Sequence, residues 1–167
     1  MPLKQENRLL ALGAIGGKID PDVLTVKSIS VHEQLSQPFQ IEAELRSEDG
    51  AIKFDDVIGQ NVTLRLSLEE DTRYFNGFVS RLVQLPNVGR YAHYRATIVP
   101  WLWFLTRLSD CRIFLDKTVP EIIQEVFTDH GFDDFKDKLS NDPAYQKKEF
   151  CVQYRETDFN FVSRLME

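Results

Sequence analysis

A chain of 167 residues with 43% hydrophobic and 28% charged side chains is long enough to bury a core and too apolar to be largely disordered. Its formal net charge of −6 argues against a phosphate-backbone partner, and Arg90, Arg95, Lys147 and Lys148 are scattered rather than gathered into a stripe. No apolar run reaches the roughly 18 residues of a membrane span, and the opening Met-Pro-Leu-Lys-Gln-Glu-Asn-Arg lacks a signal-peptide core, so cytoplasmic synthesis is expected.

In chain order, the first hundred residues read as strands and turns. Candidate strands are Arg8–Ile15, Leu24–Val31 and Tyr74–Leu85, with Tyr91–Val99 closing the series. Phe39, Ile41, Ala43 and Leu45 alternate with polar neighbours, as do Val62, Leu64, Leu66 and Leu68. A period of two puts each apolar set on one face of a half-buried antiparallel sheet. The apolar phase slips between Val26 and Ile29, which a bulge near Ser28 would restore. Turn chemistry separates these runs at Gly16-Gly17, Asp20-Pro21-Asp22, Glu48-Asp49-Gly50, Glu69-Glu70-Asp71 and Pro86-Asn87. The pattern fits an antiparallel barrel or a sandwich, and it does not choose between them.

The pattern changes after Pro100. Trp101-Leu102-Trp103-Phe104-Leu105 is a dense apolar knot, expected to plug the barrel or seal its junction to the next unit. Thr118-Val-Pro-Glu121 is a capping box opening a helix with an apolar stripe of Val119, Ile122, Ile123, Val126 and Phe127. Gly131 suits its end. Asp133 to Lys148 is polar, with a loop at Asn141-Asp142-Pro143, and Phe150–Tyr154 alternates as a short strand. Thr157 then caps a second helix, with Asp158 in its first turn and Phe161, Val162, Leu165 and Met166 on one face. No Gly, Asn or Pro ends it, so a piece of something longer is expected.

A search for chemistry finds no phosphate-binding glycine loop, nucleophile elbow or zinc-protease motif. His32, His93 and His130 lack ligand spacing, and His130 is expected to serve at a helix C-terminus. The acidic pairs Asp55-Asp56, Glu69-Glu70 and Asp133-Asp134 could in principle run glycoside hydrolysis, but neighbouring residues in turns point apart. Asp20-Pro-Asp22 lacks the rest of a calcium loop. Cys111 and Cys151 stand outside any CxxC and are expected to be small buried hydrophobes in a reducing compartment. No catalytic, cofactor-binding or metal-ligating residue is assigned. Outward positions Thr63, Arg65, Ser67, Arg81 and Arg95 suit either a solvated face or a surface that meets other copies.

The run Gln153-Tyr154-x-Glu156-Thr157-Asp158-Phe159-x-Phe161-Val162-x-Arg164-Leu165 resembles the signature of the VgrG family, the spike proteins of bacterial type VI secretion. Further blocks resemble the same family in order: Leu35-Ser36-x-Pro38-Phe39, Ile58-Gly59-Gln60-x-Val62-Thr63, Asn76-Gly77-Phe78-Val79, Pro100-x-Leu102-Trp103-x-Leu105 and Cys111-Arg112-Ile113-Phe114. The resemblance implies an α+β, β-rich fold. An antiparallel β-barrel of the phage tail hub type would span 1–110. A smaller, incomplete α/β segment would span 111–167, with helices near 118–131 and 157–167. It implies a homotrimer for the longer protein, with a chain of this length able to stand as a monomer. It also implies a hexameric tail-tube protein stacked on the ring, baseplate and effector partners, and export by the type VI apparatus. Neither nucleic acid nor stable membrane insertion is implied. The family is not enzymatic here and uses no cofactor.

Two alternatives stay open. One is the hub or late-control protein of a contractile phage tail or tailocin. The other is a carbohydrate-processing hub enzyme using Asp55 and Asp56. A hollow ligand-binding barrel is disfavoured by the Leu and Val strand faces, which suit a filled interior.

Overall fold

The period-two runs become six antiparallel strands in the computed structural model, which describes residues 4–136, 138, 139 and 145–167. They are β1 (Leu10–Leu12), β2 (Thr25–His32), β3 (Gln40–Ser47), β4 (Asn61–Ser67), β5 (Thr72–Val88) and β6 (Tyr91–Val99). They belong to a compact unit ending at Pro100, and a second unit runs from Trp101 to Glu167. The strand order β1-β4-β5-β6-β3-β2 makes a nearly closed barrel, which decides between barrel and sandwich. Register places Ile41 beside Ile98, Ala43 beside Ala96 and Leu45 beside Tyr94, and all six are almost wholly buried. Val62, Leu64, Phe75, Val79 and Leu82 join them, so side chains fill the interior. The bulge expected near Ser28 is present between Val26 and Ser28.

Two local expectations are corrected. The first strand is only three residues long, because the chain turns away after Gly13 into a bridge between Ile15 and Ile19. Pro86-Asn87 is not the turn: β5 carries both, absorbing them in a register shift between Leu85 and Val88, and reverses one step later at Gly89, whose φ of 61° is left-handed.

Gly77 marks a close backbone approach in the barrel. A Cβ there would lie 2.6 Å from the Val99 carbonyl oxygen and 2.9 Å from a methyl of Ile98. The obstruction is partly backbone and cannot rotate away. Gly77→Ala is therefore expected to destabilise the chain by about 1–3 kcal/mol, as overpacking does, measured by urea unfolding.

The order leaves β1 and β2 as edges with no ladder between them, and Gln5 bridges the gap. Its side chain is 3% exposed. Gln5 Oε1 accepts from Leu12 N at 3.0 Å and from Val26 N at 3.3 Å, while Nε2 donates to Leu12 O at 3.2 Å and Leu24 O at 3.3 Å. The same Nε2 also meets the Pro21 carbonyl. A primary amide thus stands in for one rung of the missing ladder, satisfying buried peptide groups that the edge would otherwise expose.

In the second unit, β7 (Ser109–Lys117) pairs antiparallel with β8 (Lys148–Thr157), while α1 (Val119–Asp129) and α2 (Asp158–Met166) supply the helices. The Thr118 capping box forms: its hydroxyl accepts from Glu121 N, and Glu121 reaches back to Thr118 N at 2.7 Å. Thr157 caps α2 by accepting from Asn160 N. The predicted aromatic knot is a 3-10 helix, Trp101–Thr106. Its Leu105, with Trp101 and Leu102, joins the core of this second unit and not the barrel core. Trp101 packs edge-on against Phe127 at 4.9 Å, and Phe114 stacks on Phe161 at 5.5 Å. The loop expected at Asn141-Asp142-Pro143 lies outside the described residues.

Candidate functional site

The acidic pairs stand apart, each in its own irregular segment. Asp55 and Asp56 lie in the 3-10 helix Phe54–Asp56, Glu69 and Glu70 in the β4–β5 turn, and Asp133 and Asp134 after α1. Among the described residues, no group of three or more His, Cys, Asp or Glu is placed to hold a metal ion. His32 ends β2 in solvent and His93 lies on β6. Thr63 accepts from Asn76 at 2.9 Å on the barrel exterior, and the Arg95 guanidinium lies 3.6 Å from Glu44.

His130 does more than end α1. Its Nε2 lies 2.6 Å from Asp158 Oδ2, and its side chain is 10% exposed. Asp158 is 4% exposed and Gln153 0%. The Arg112 guanidinium donates to Asp158 Oδ1 at 3.0 Å, to Gln153 Oε1 at 3.1 Å and to Asp129 at 3.0 Å, with Asp110 3.4 Å away. Gln153 Nε2 closes the network on Asp158 Oδ1 at 2.6 Å. Burial on its own would push the Asp158 pKa up. The hydrogen bonds from Gln153 and His130, with the Arg112 charge, outweigh it and hold the carboxyl below its ordinary value. β7, β8, the end of α1 and the start of α2 thus meet at one carboxylate. The arrangement clasps these four elements together.

The opposite face of the β7–β8 ribbon is apolar and exposed. Register pairs Cys111 with Tyr154, Ile113 with Val152 and Leu115 with Phe150. These six point away from the core that buries Phe114 and Cys151. Ile113 is 68% exposed, Phe150 63% and Tyr154 64%. Cys111 is therefore exposed, contrary to expectation, because strand alternation puts it on the outward side while Cys151 goes inward. The face ends at the direct pair Lys117–Lys148. At the other end Arg155, with φ 51°, is the extra residue of a bulge opposite Asp110/Cys111.

Residues 32–167 match the phage tail baseplate hub (GPD) family. The chain belongs to that family. This hub-family chain is 45% identical over 168 residues to the type VI secretion system spike protein VgrG1c of Pseudomonas aeruginosa, an alignment covering 100% of this chain and 22% of that protein. Among solved structures it is similar to the E. coli c3393 protein, a component of the type VI secretion system with structural similarity to T4 bacteriophage tail proteins gp27 and gp5. That match has a TM-score of 0.65 and 26% identity over 86% of this chain and 42% of that one. The 43 kDa tail protein of prophage MuSo2 from Shewanella oneidensis shares the fold, with a TM-score of 0.60 and 17% identity over 93% and 46% of the two chains. The hub-type barrel expected from the sequence is the fold found. The chain spans about a fifth of the curated relative's length, 22%. Among the described residues no helix is long and apolar enough to cross a membrane.

Proposed function

We propose that this hub-family chain is part of the structural base of a type VI secretion spike, acting mechanically and not as a catalyst. The observation that carries this reading is 45% identity to a named spike protein along the whole chain, on a barrel of the tail-hub fold. In this reading the six-stranded unit ending at Pro100 is the hub barrel, and the unit from Trp101 onward begins an α/β segment. Three copies of the longer protein associate, a hexameric tail-tube protein stacks on them, and baseplate proteins and effectors complete the assembly. The protein is made in the cytoplasm and leaves through the type VI apparatus. No residue is assigned to catalysis, a cofactor or a metal. The exposed positions of Asp55, Glu69, Glu70, Asp133 and Asp134 support that, because solvated acids lack the environment that tunes a general acid.

The shared fold of a prophage tail protein favours a second reading, the hub of a contractile phage tail or tailocin. Neighbouring genes distinguish the two. The test of the structural role is co-sedimentation of the chain with assembled tail-tube protein, alongside a peptidoglycan-hydrolysis assay. Binding to tube without hydrolysis is expected. Hydrolysis abolished by replacing Asp55 and Asp56 would overturn the non-catalytic reading.

A further inference from the structure

The apolar stripe of α1 is wider than the core beneath it covers. Ile122, Val126 and Phe127 are buried, whereas Ile123 is only half-buried and lines a groove of about 380 Å³. Leu165 of α2 and Phe135 line the same groove, and Phe135 packs edge-on against Phe127 at 5.2 Å. Its mouth is apolar as well, with Leu139 52% and Met166 60% exposed. Small-molecule sites are concave, mostly apolar and roughly 300–1,000 Å³ in volume, with a few polar groups that fix orientation. This groove has that size and that balance.

Its polar groups have one sign. The chain carries a net charge of −6, yet the charged residues lining the groove, Lys136 and Lys138, are both cations. Among the described residues no carboxylate lines it, and neither lysine makes an ion pair. Lysine stems lie well along apolar surface while the ammonium stays in water, so this wall offers hydrocarbon below and positive charge at the rim. The side chains of Ile123, Phe127, Phe135 and Leu165 offer no hydrogen-bonding partner. A peptide laid over them would bury unpaired amide groups at a cost, whereas an alkyl chain has none to bury.

We propose that the groove binds an unbranched aliphatic carboxylate of medium length, its chain against Ile123 and Leu165 and its head at Lys136 and Lys138. Apolar burial supplies most of the affinity, because exposed ion pairs contribute little. The lysines set the orientation and the preference for an anion. The groove is lined from the second unit alone, so its test is separate from tail-tube binding.

Isothermal titration calorimetry of the 167-residue chain with octanoate, decanoate and dodecanoate, each below its micelle concentration, tests the site. Affinity is expected to rise about fourfold per added methylene until the groove is full. Decyltrimethylammonium, with the same tail and the opposite head, is expected to bind about tenfold more weakly than decanoate. Lys136→Glu with Lys138→Glu is expected to reverse that preference while circular dichroism stays unchanged, since both side chains are exposed. No binding of any of the three carboxylates at about 1 mM would overturn the site. So would equal affinity for the two heads, or a preference for the anion that survives the double reversal. Decanoate is also expected to bind the longer protein. Binding to the 167-residue chain alone would show that the rest of the protein fills the groove, and would overturn the proposal as well.

Discussion

Replacing Asp158 by alanine is expected to lower the unfolding free energy of the second unit by about 3–5 kcal/mol, the range for removing one partner of a buried charge pair. The loss is large because the partly buried Arg112 and His130 would stay in place without the carboxylate, and the fully buried Gln153 amide would lose its 2.6 Å acceptor. Urea unfolding followed by Trp101 and Trp103 fluorescence reads this unit, since both tryptophans lie in it. The pH dependence has a definite sign. The folded carboxyl is held below its ordinary value, so its contribution is fully present above the unfolded carboxylate range, about pH 4, and is lost as pH falls through the lower folded value. Asp158→Asn should flatten that acid limb. An acid limb of the same steepness in Asp158→Asn and wild type would show that another group causes it.

Gln5→Leu is expected to cost about 2–5 kcal/mol in the barrel, although it adds apolar volume at a buried position. The substitution leaves Leu12 N and Val26 N without their acceptor and Leu12 O and Leu24 O without their donor, and orphaned buried groups cost about 1–3 kcal/mol each, partly relieved by water. Gln5→Glu should be nearly as damaging, because it keeps the acceptor for the two amides but loses every bond the amide nitrogen donates and buries a charge. Hydrogen exchange gives the sharper readout. Protection should fall first at the amides of Leu12 and Val26, where the barrel closes, and a uniform loss over all six strands would argue that Gln5 does not act locally.

How legible these features are in the sequence depends on how local their causes are. β3 and β4 can be read directly, because one wet face and one dry face write a clean alternation into Gln40–Ser47 and Asn61–Ser67. The bulge at Ser28 leaves a visible slip in phase, and both helix starts come from the capping chemistry of Thr118 and Thr157. Closure is not legible, because it turns on one glutamine whose partners sit 7 to 21 residues away along the chain. The clasp escapes for the same reason. Arg112, His130, Gln153 and Asp158 share no spacing, and Asp158 on its own reads only as a favourable charge at a helix start. The expectation for Cys111 fails because cysteines are usually buried. The signal is nevertheless present: Cys111-Arg112-Ile113-Phe114-Leu115 is apolar in both phases apart from Arg112, so whichever side the core takes, hydrophobes remain outside.

Cryo-electron microscopy of a spike assembled from the longer protein on its tail-tube protein tests the central claim most directly. The proposed role predicts the six-stranded barrel of residues 4–100 at the end of the spike that meets the tube, repeated around the axis. Barrels held away from the tube, with no ordered contact to it, would contradict that role.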